Sequence, residues 1–202
     1  MPYSPEHKVR VRAQIVEKAR ILFNRRGFSE VSIDDIMAEV GLTRGGFYNH
    51  FENKDEVYAE AIQSFLNGRG KAWRDEAGVD VQNGGPDSVR AMIDSYLSSR
   101  HLGDLDGQCP MIALPSDVAR ATPEVRSSYE TLLKAMTWLF ENNLPDAAAS
   151  ANRQKALALS AMCVGGMVLS RTIDNPELSA EIREAARRTA LSFSDLLEVE
   201  EA

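Results

Sequence analysis

Apolar residues recur at three- and four-residue intervals along nearly the whole 202-residue chain, and no stretch alternates with a period of two. That pattern predicts an all-α protein. A first helix opens at Ser4-Pro5-Glu6, with a cap, a first-turn proline and a first-turn acid, and runs to Arg26. Val11, Ile15, Ala19, Leu22 and Phe23 share one face of it, and Gly27 stops it. Ser32 and Asp35 stand in capping-box spacing ahead of Ile33, Ile36, Met37 and Val40, which marks a short second helix ending at Gly41. Leu42 alone separates that glycine from Thr43, a new cap, so a third helix over 44–51, with Phe47 and Phe51 facing inward, follows after a very tight turn. Two short helices joined in this way describe a helix-turn-helix.

Asn53 and Glu56 cap a fourth helix, expected to continue to about Ala77. The stretch "GVDVQNGGPDS", 78–88, is the clearest break. Helices are then expected from Ser88 to Arg100, across 111–120 with a restart at Pro115, from Thr122 to Asn142, from "LPDAAA" through Arg171, and from Asn175 to about Glu198. The looser "HLGDLDGQCP" lies among them, and no repeat or low-complexity tract appears.

Charge divides the chain unevenly. The total is −7, yet residues 1–54 hold nine Lys/Arg against seven Asp/Glu, a balance of +2, and the rest carries −9. A mildly basic head on an acidic body suits a protein that touches a polyanion with one end. Two cysteines, Cys109 and Cys163, make no disulfide framework, and no Cys/His spacing suggests a metal site or cofactor. The N-terminus lacks a secretory core, and the most apolar run, 156–170, is fifteen residues, against roughly 18 for a membrane span. A cytoplasmic protein without a membrane partner is expected.

The stretch "TRGGFYNHFENK", 43–54, holds the candidate chemistry. Gly45 and Gly46 fall in a first turn, where glycine is least costly, and leave that helix end bare enough to press against another surface. In a helix-turn-helix that end meets the major groove. Arg44 suits a guanine edge and Asn49 an adenine or a phosphate. Thr43, Tyr48, His50 and Lys54 carry donors suited to phosphate oxygens.

The run "VSIDDIMAEVGLTRGGFYNHFENKDEVYAEAI", 31–62, resembles the DNA-binding head of TetR/AcrR-type transcriptional regulators, and the likeness extends over about residues 8 to 66. The resemblance implies a three-helix DNA-binding domain over 1–54 and a helical effector-binding and dimerisation domain over 55–202. It implies that Ser32, Thr43, Tyr48, His50 and Lys54 hold phosphates, while Arg44, Gly45, Gly46 and Asn49 face bases. Asn49 departs from the aromatic often found there. It further implies a homodimer through about 147–171 and 176–198, reading a palindromic operator on double-stranded DNA with half-sites about 34–36 Å apart or multiples of that. A small-molecule effector would release such a repressor.

Trp73, Tyr96, His101, Met111, Trp138 and Met167 are candidates for lining an effector pocket. Gly165 and Gly166, inside a helix, mark either close helix packing or space for a ligand. Cys109, expected near a helix N-terminus, is a candidate oxidant or electrophile sensor or a small buried residue. A DNA-binding dimer with no effector is a third alternative. No nucleophile motif, metal set or phosphate loop suggests an enzyme.

Overall fold

The computed structural model describes residues 5–145 and 149–194. Every regular element among them is helical: α1 (Pro5–Arg26), α2 (Ile33–Glu39), α3 (Arg44–Phe47), α4 (Lys54–Asn67), α5 (Arg69–Glu76), α6 (Gly85–Tyr96), α7 (Ser99–Gly103), α8 (Pro110–Ala113), α9 (Pro115–Ala119), α10 (Pro123–Asn143), α11 (Ala149–Thr172) and α12 (Pro176–Phe193). The chain forms two compact units. The first takes in the chain up to Arg69 together with Leu105–Leu132; the second takes in Gly70–Asp104 and the chain from Leu133 on.

In the first unit α1 packs against α2, α4 and α8, and α2 against α3. Ile15, Ala19 and Phe23 of α1, Ile36 and Met37 of α2, Phe47, Phe51, and Val57, Tyr58 and Ile62 of α4 are buried together as its core. Phe23, Phe28 and Tyr58 form an aromatic group with centroids 4.6–5.8 Å apart. The expected stops hold: Gly27 and Gly41 have φ +78° and +69°, the left-handed region where a side chain is strained. The segment 105–120 is bonded along the last two turns of α1. Arg20 donates to the Asp106 carbonyl (2.6 Å), Asn24 to the Gln108 carbonyl (2.8 Å), and the Phe28 N–H to the Asp117 carboxylate (2.9 Å). Arg25 pairs with the Asp106 carboxylate.

The helix expected from Lys54 to Ala77 is in fact two. At Gly68 the backbone turns (φ −98°, ψ −114°), and a Cβ there would lie 2.8 Å from the Ser64 carbonyl oxygen. Likewise 88–100 is not one helix. It starts earlier, at Gly85, and breaks after Tyr96, where Ser98 caps α7 by accepting from the His101 N–H. Pro115 restarts the chain as expected, in the first turn of α9. Ser4, the start of the penultimate helix at 146–148 and the end of the last beyond 194 lie outside the described residues.

In the second unit α11 and α12 pack along their length, and α12 also meets α6. Gly166 makes the close approach possible: a Cβ there would stand 2.8 Å from the Ala186 Cβ and 3.1 Å from Leu97 Cδ2. Ser170 and Ser179 donate to each other's carbonyls at 3.0 Å, and Arg187 ties α12 to Asp94 of α6 (2.8 Å).

Candidate nucleic-acid interface

The helix-turn-helix is set by local chemistry. The Ser32 hydroxyl accepts from the Asp35 N–H (3.0 Å), and the Asp35 carboxylate accepts from the Ser32 N–H (2.8 Å) and hydroxyl (2.6 Å). Those bonds hold the Asp35 carboxyl below its usual range. At the far end of α2 the Leu42 N–H bonds to the Met37 carbonyl and the Gly41 N–H to the Ala38 carbonyl, a Schellman closure. Thr43 then opens α3 as its N-cap residue, but its side chain makes no capping bond.

α3 is shorter than the expected 44–51. Regular helix ends at Phe47, and three-residue closures carry the chain on: Asn49 N–H to the Gly46 carbonyl (3.2 Å) and His50 N–H to the Phe47 carbonyl (2.8 Å). Phe47 and Phe51 are buried as expected, and Arg12 of α1 lies 4.0 Å over the Phe51 ring. Arg12 also pairs with Glu56 (2.7 Å) and Glu60 of α4, which fixes α1 against the start of α4. Asn53 caps α4 by accepting from the Glu56 N–H, while the Glu56 carboxylate takes the Glu52 N–H instead of closing the box.

The candidate side chains fall into three groups. Thr43, Arg44, Gly45, Tyr48 and Asn49 are exposed, with Gly46 half-buried beside them. Arg44 pairs with Asp34 across the turn (2.6 Å) on an open surface. A Cβ at Gly45 or Gly46 would meet nothing nearer than 3.6 Å, so packing within the fold demands neither glycine. Ser32 and Lys54 form the second group, already engaged. The Lys54 ammonium donates to the Phe28 (2.7 Å) and Val31 (2.9 Å) carbonyls and sits 4.0 Å over the Phe28 ring. Burial pushes that ammonium below its ordinary range. His50 stands apart, half-buried, with Nδ1 enclosed and unpartnered. Burial, then Lys8, Arg12 and His7, push its imidazole below the ordinary value.

His50 and Asn49 line a cleft of about 460 Å³ whose other wall is His7, Lys8 and Val11 of α1. Reasoning from the sequence missed that wall. The basic opening of helix one, "HKVRVR", was its available signal.

The pocket candidates do not all meet. Trp73, Tyr96 and His101 cluster in the second unit, the imidazole 4.6 Å from the indole and 4.9 Å from the phenol ring, with Nδ1 at 2.8 Å from the Tyr96 carbonyl. Met167 is buried in the same unit, and Trp138 is 45% exposed. Met111 belongs to the first unit, where its carbonyl accepts from the Tyr129 hydroxyl (3.2 Å). Cys109 is the N-cap residue of α8 and only 2% exposed; Cys163 is fully enclosed, its thiol pushed up to about 12 by burial. Among the described residues no group of His, Cys, Asp and Glu could hold a metal, and no helix is long and apolar enough to cross a membrane.

Residues 15–61, α1 from Ile15 through the helix-turn-helix to α4, match the model of the family described as bacterial regulatory proteins, tetR family. Over those residues the chain is a TetR-family head. Among curated relatives it is 34% identical over 92 residues to the uncharacterized HTH-type transcriptional regulator YfiR of Bacillus subtilis, a match covering 46% of this chain and 42% of that one. It is 39% identical over 57 residues to the HTH-type transcriptional repressor DhaR of a Mycobacterium species, covering 28% and 29%. The chain thus spans less than half the length of these relatives. The fold is shared over nearly the whole chain with a TetR-family transcriptional regulator from Cytophaga hutchinsonii, at a TM-score of 0.73 and 18% identity, covering 98% of this chain and 100% of that one. The TetR family is one of regulatory proteins, not of enzymes.

Proposed function

We propose that this TetR-family chain is a sequence-specific DNA-binding transcriptional regulator, a homodimeric repressor released from a palindromic operator by a small-molecule effector. The observation that carries the reading is the bare, exposed start of α3. Two adjacent glycines stand where the fold has room for side chains, flanked by exposed Arg44, Tyr48 and Asn49. Contact with an outside surface accounts for them. Arg44, released from Asp34, reads a base edge with Asn49, while Thr43, Tyr48, His50 and the remaining donor of Lys54 meet phosphates. Ser32 serves by fixing α2, and its exposed position leaves a phosphate within reach.

The functional division is residues 1–54 for DNA and 55–202 for effector and dimer. Dimerisation through 147–171 and 176–198 is supported by apolar side chains that this chain leaves uncovered: Leu157 and Leu169 on α11, Leu178 and Phe193 on α12. Gly165 supports it too, because a Cβ there meets nothing within 4 Å. The effector is apolar or planar, received near Trp73, Tyr96 and His101.

The test is fluorescence anisotropy of the purified chain on DNA from upstream of its own gene, at two salt concentrations with unrelated competitor DNA. Competitor-resistant binding is expected, and Gly45→Ala with Gly46→Ala should lower affinity at least tenfold while the melting curve stays put. Full affinity in both alanine variants would remove the close-contact role of the glycines, and binding erased by competitor would remove the operator reading.

A further inference from the structure

The cleft between the first turns of α1 and the residues after α3 has a chemistry that simple charge attraction does not use. Its α1 wall carries His7 and Lys8, with Arg12 one turn further along. His50 faces them with Nδ1 enclosed and no partner. We propose that this cleft couples DNA binding to proton uptake: His50 is neutral in the free protein and takes one proton when a backbone phosphate seats over it.

Every charge that faces His50 in the free protein opposes its protonation. Partial burial of the ring is the larger obstacle to its charged form, and from α1 Lys8, Arg12 and His7 act in the same sense. Arg12 is offset by Glu56 and Glu60, while Leu42, Gly46 and Asn49 on the opposite wall bring no titrating group. Arg10 lies 3.1 Å from the His7 ring on the exposed surface of α1. An ordinary imidazole titrates near 6.5, so His50 here is uncharged at pH 7. A phosphate brings a negative charge against the ring and screens Lys8 and His7 from it. The enclosure that penalised a lone imidazolium then strengthens its charged hydrogen bond. The proton comes from solvent.

The sign follows directly. His50 binds its proton more tightly in the complex than in the free chain, so between the two midpoints affinity falls as pH rises. The limit is about tenfold per pH unit for each head that takes up one proton. Arg44, whose guanidinium Asp34 holds above its ordinary range, contributes no slope between pH 6 and 8. The inference rests on the reading of residues 43–54 as the DNA face.

The experiment uses the full chain and a duplex recovered from a random-sequence pool by repeated selection at pH 6.5. Affinity is measured at pH 6, 7 and 8 at fixed ionic strength, beside proton NMR titration of the three histidines with and without the duplex. Affinity should fall by at least about fivefold across that range. His50→Gln should flatten the profile, and the wild-type His50 midpoint should rise when duplex is added. A flat wild-type profile, a slope that survives His50→Gln, or an unmoved midpoint overturns the coupling. The NMR arm needs no variant and so holds even if His50→Gln does not fold. A pool that yields no duplex removes the DNA reading itself, a result distinct from a duplex bound with no pH dependence.

Discussion

Lys54→Ala should destabilise the first unit by about 2–3 kcal/mol. The ammonium makes two charge-assisted bonds, to the Phe28 and Val31 carbonyls at 2.7 and 2.9 Å, and lies over the Phe28 ring. Bonds of this kind contribute about 1.5–3 kcal/mol each where water is excluded. Here the group is half-buried, so the low end applies, and water can reach one vacated carbonyl. The cation–ring contact adds about 0.5–1 kcal/mol. The two carbonyls bracket the segment joining α1 to α2, so the loss should loosen the entry to the helix-turn-helix. Urea unfolding followed by circular dichroism gives the stability change from the midpoint and slope. A parallel measurement of the salt dependence of DNA affinity separates the roles. A purely structural lysine leaves the slope alone, while a phosphate contact through the third donor reduces it by about 0.9. Lys54→Ala with stability within about 0.5 kcal/mol of the parent would refute the structural argument.

The two glycines of α11 should behave oppositely. Gly166→Ala forces its methyl to 2.8 Å from Ala186 and should cost about 1–3 kcal/mol, whereas Gly165→Ala enters open space and should lose no stability, gaining up to about 1 kcal/mol in the isolated chain; equal melting shifts would refute the packing account. Cys109→Ser should leave any oxidant-induced release from DNA unchanged, because the thiol is 2% exposed, and abolished release in that variant would restore Cys109 as a sensor.

The head was legible because its signals are local. A capping box at Ser32 and Asp35, a glycine closure at Gly41 and an apolar stripe through Ile36 and Met37 act over five residues or fewer, and each forms as its spacing implies. The breaks at Gly68 and after Tyr96 were not legible. Helical periodicity continues on both sides of each, and a single glycine or a Ser98 cap redirects the chain without disturbing the pattern. The phosphate roles of Ser32, taken from the resemblance, and of Lys54, taken also from residue type, do not reveal that a neighbouring carboxylate or carbonyl already occupies those donors. The pocket candidates suffered most. An aromatic or methionine at helical spacing reads the same whether it is enclosed, as Met167 is, or partly open to solvent, as Trp138 is.

The bonds from segment 105–120 to the end of α1 set a limit on modularity. Buried Arg20 and Asn24 each give a donor to the carbonyls of Asp106 and Gln108, Arg20 giving others to Glu17, and the Phe28 N–H is given to Asp117. A chimaera that transplants residues 1–69 onto a foreign body would break those bonds, at about 1–3 kcal/mol for each group left without a partner. The transferable cassette is therefore discontinuous. A head carried to a new regulator, by recombination or by design, has to bring residues 105–132 with it or find a body that presents the same carbonyls and carboxylate.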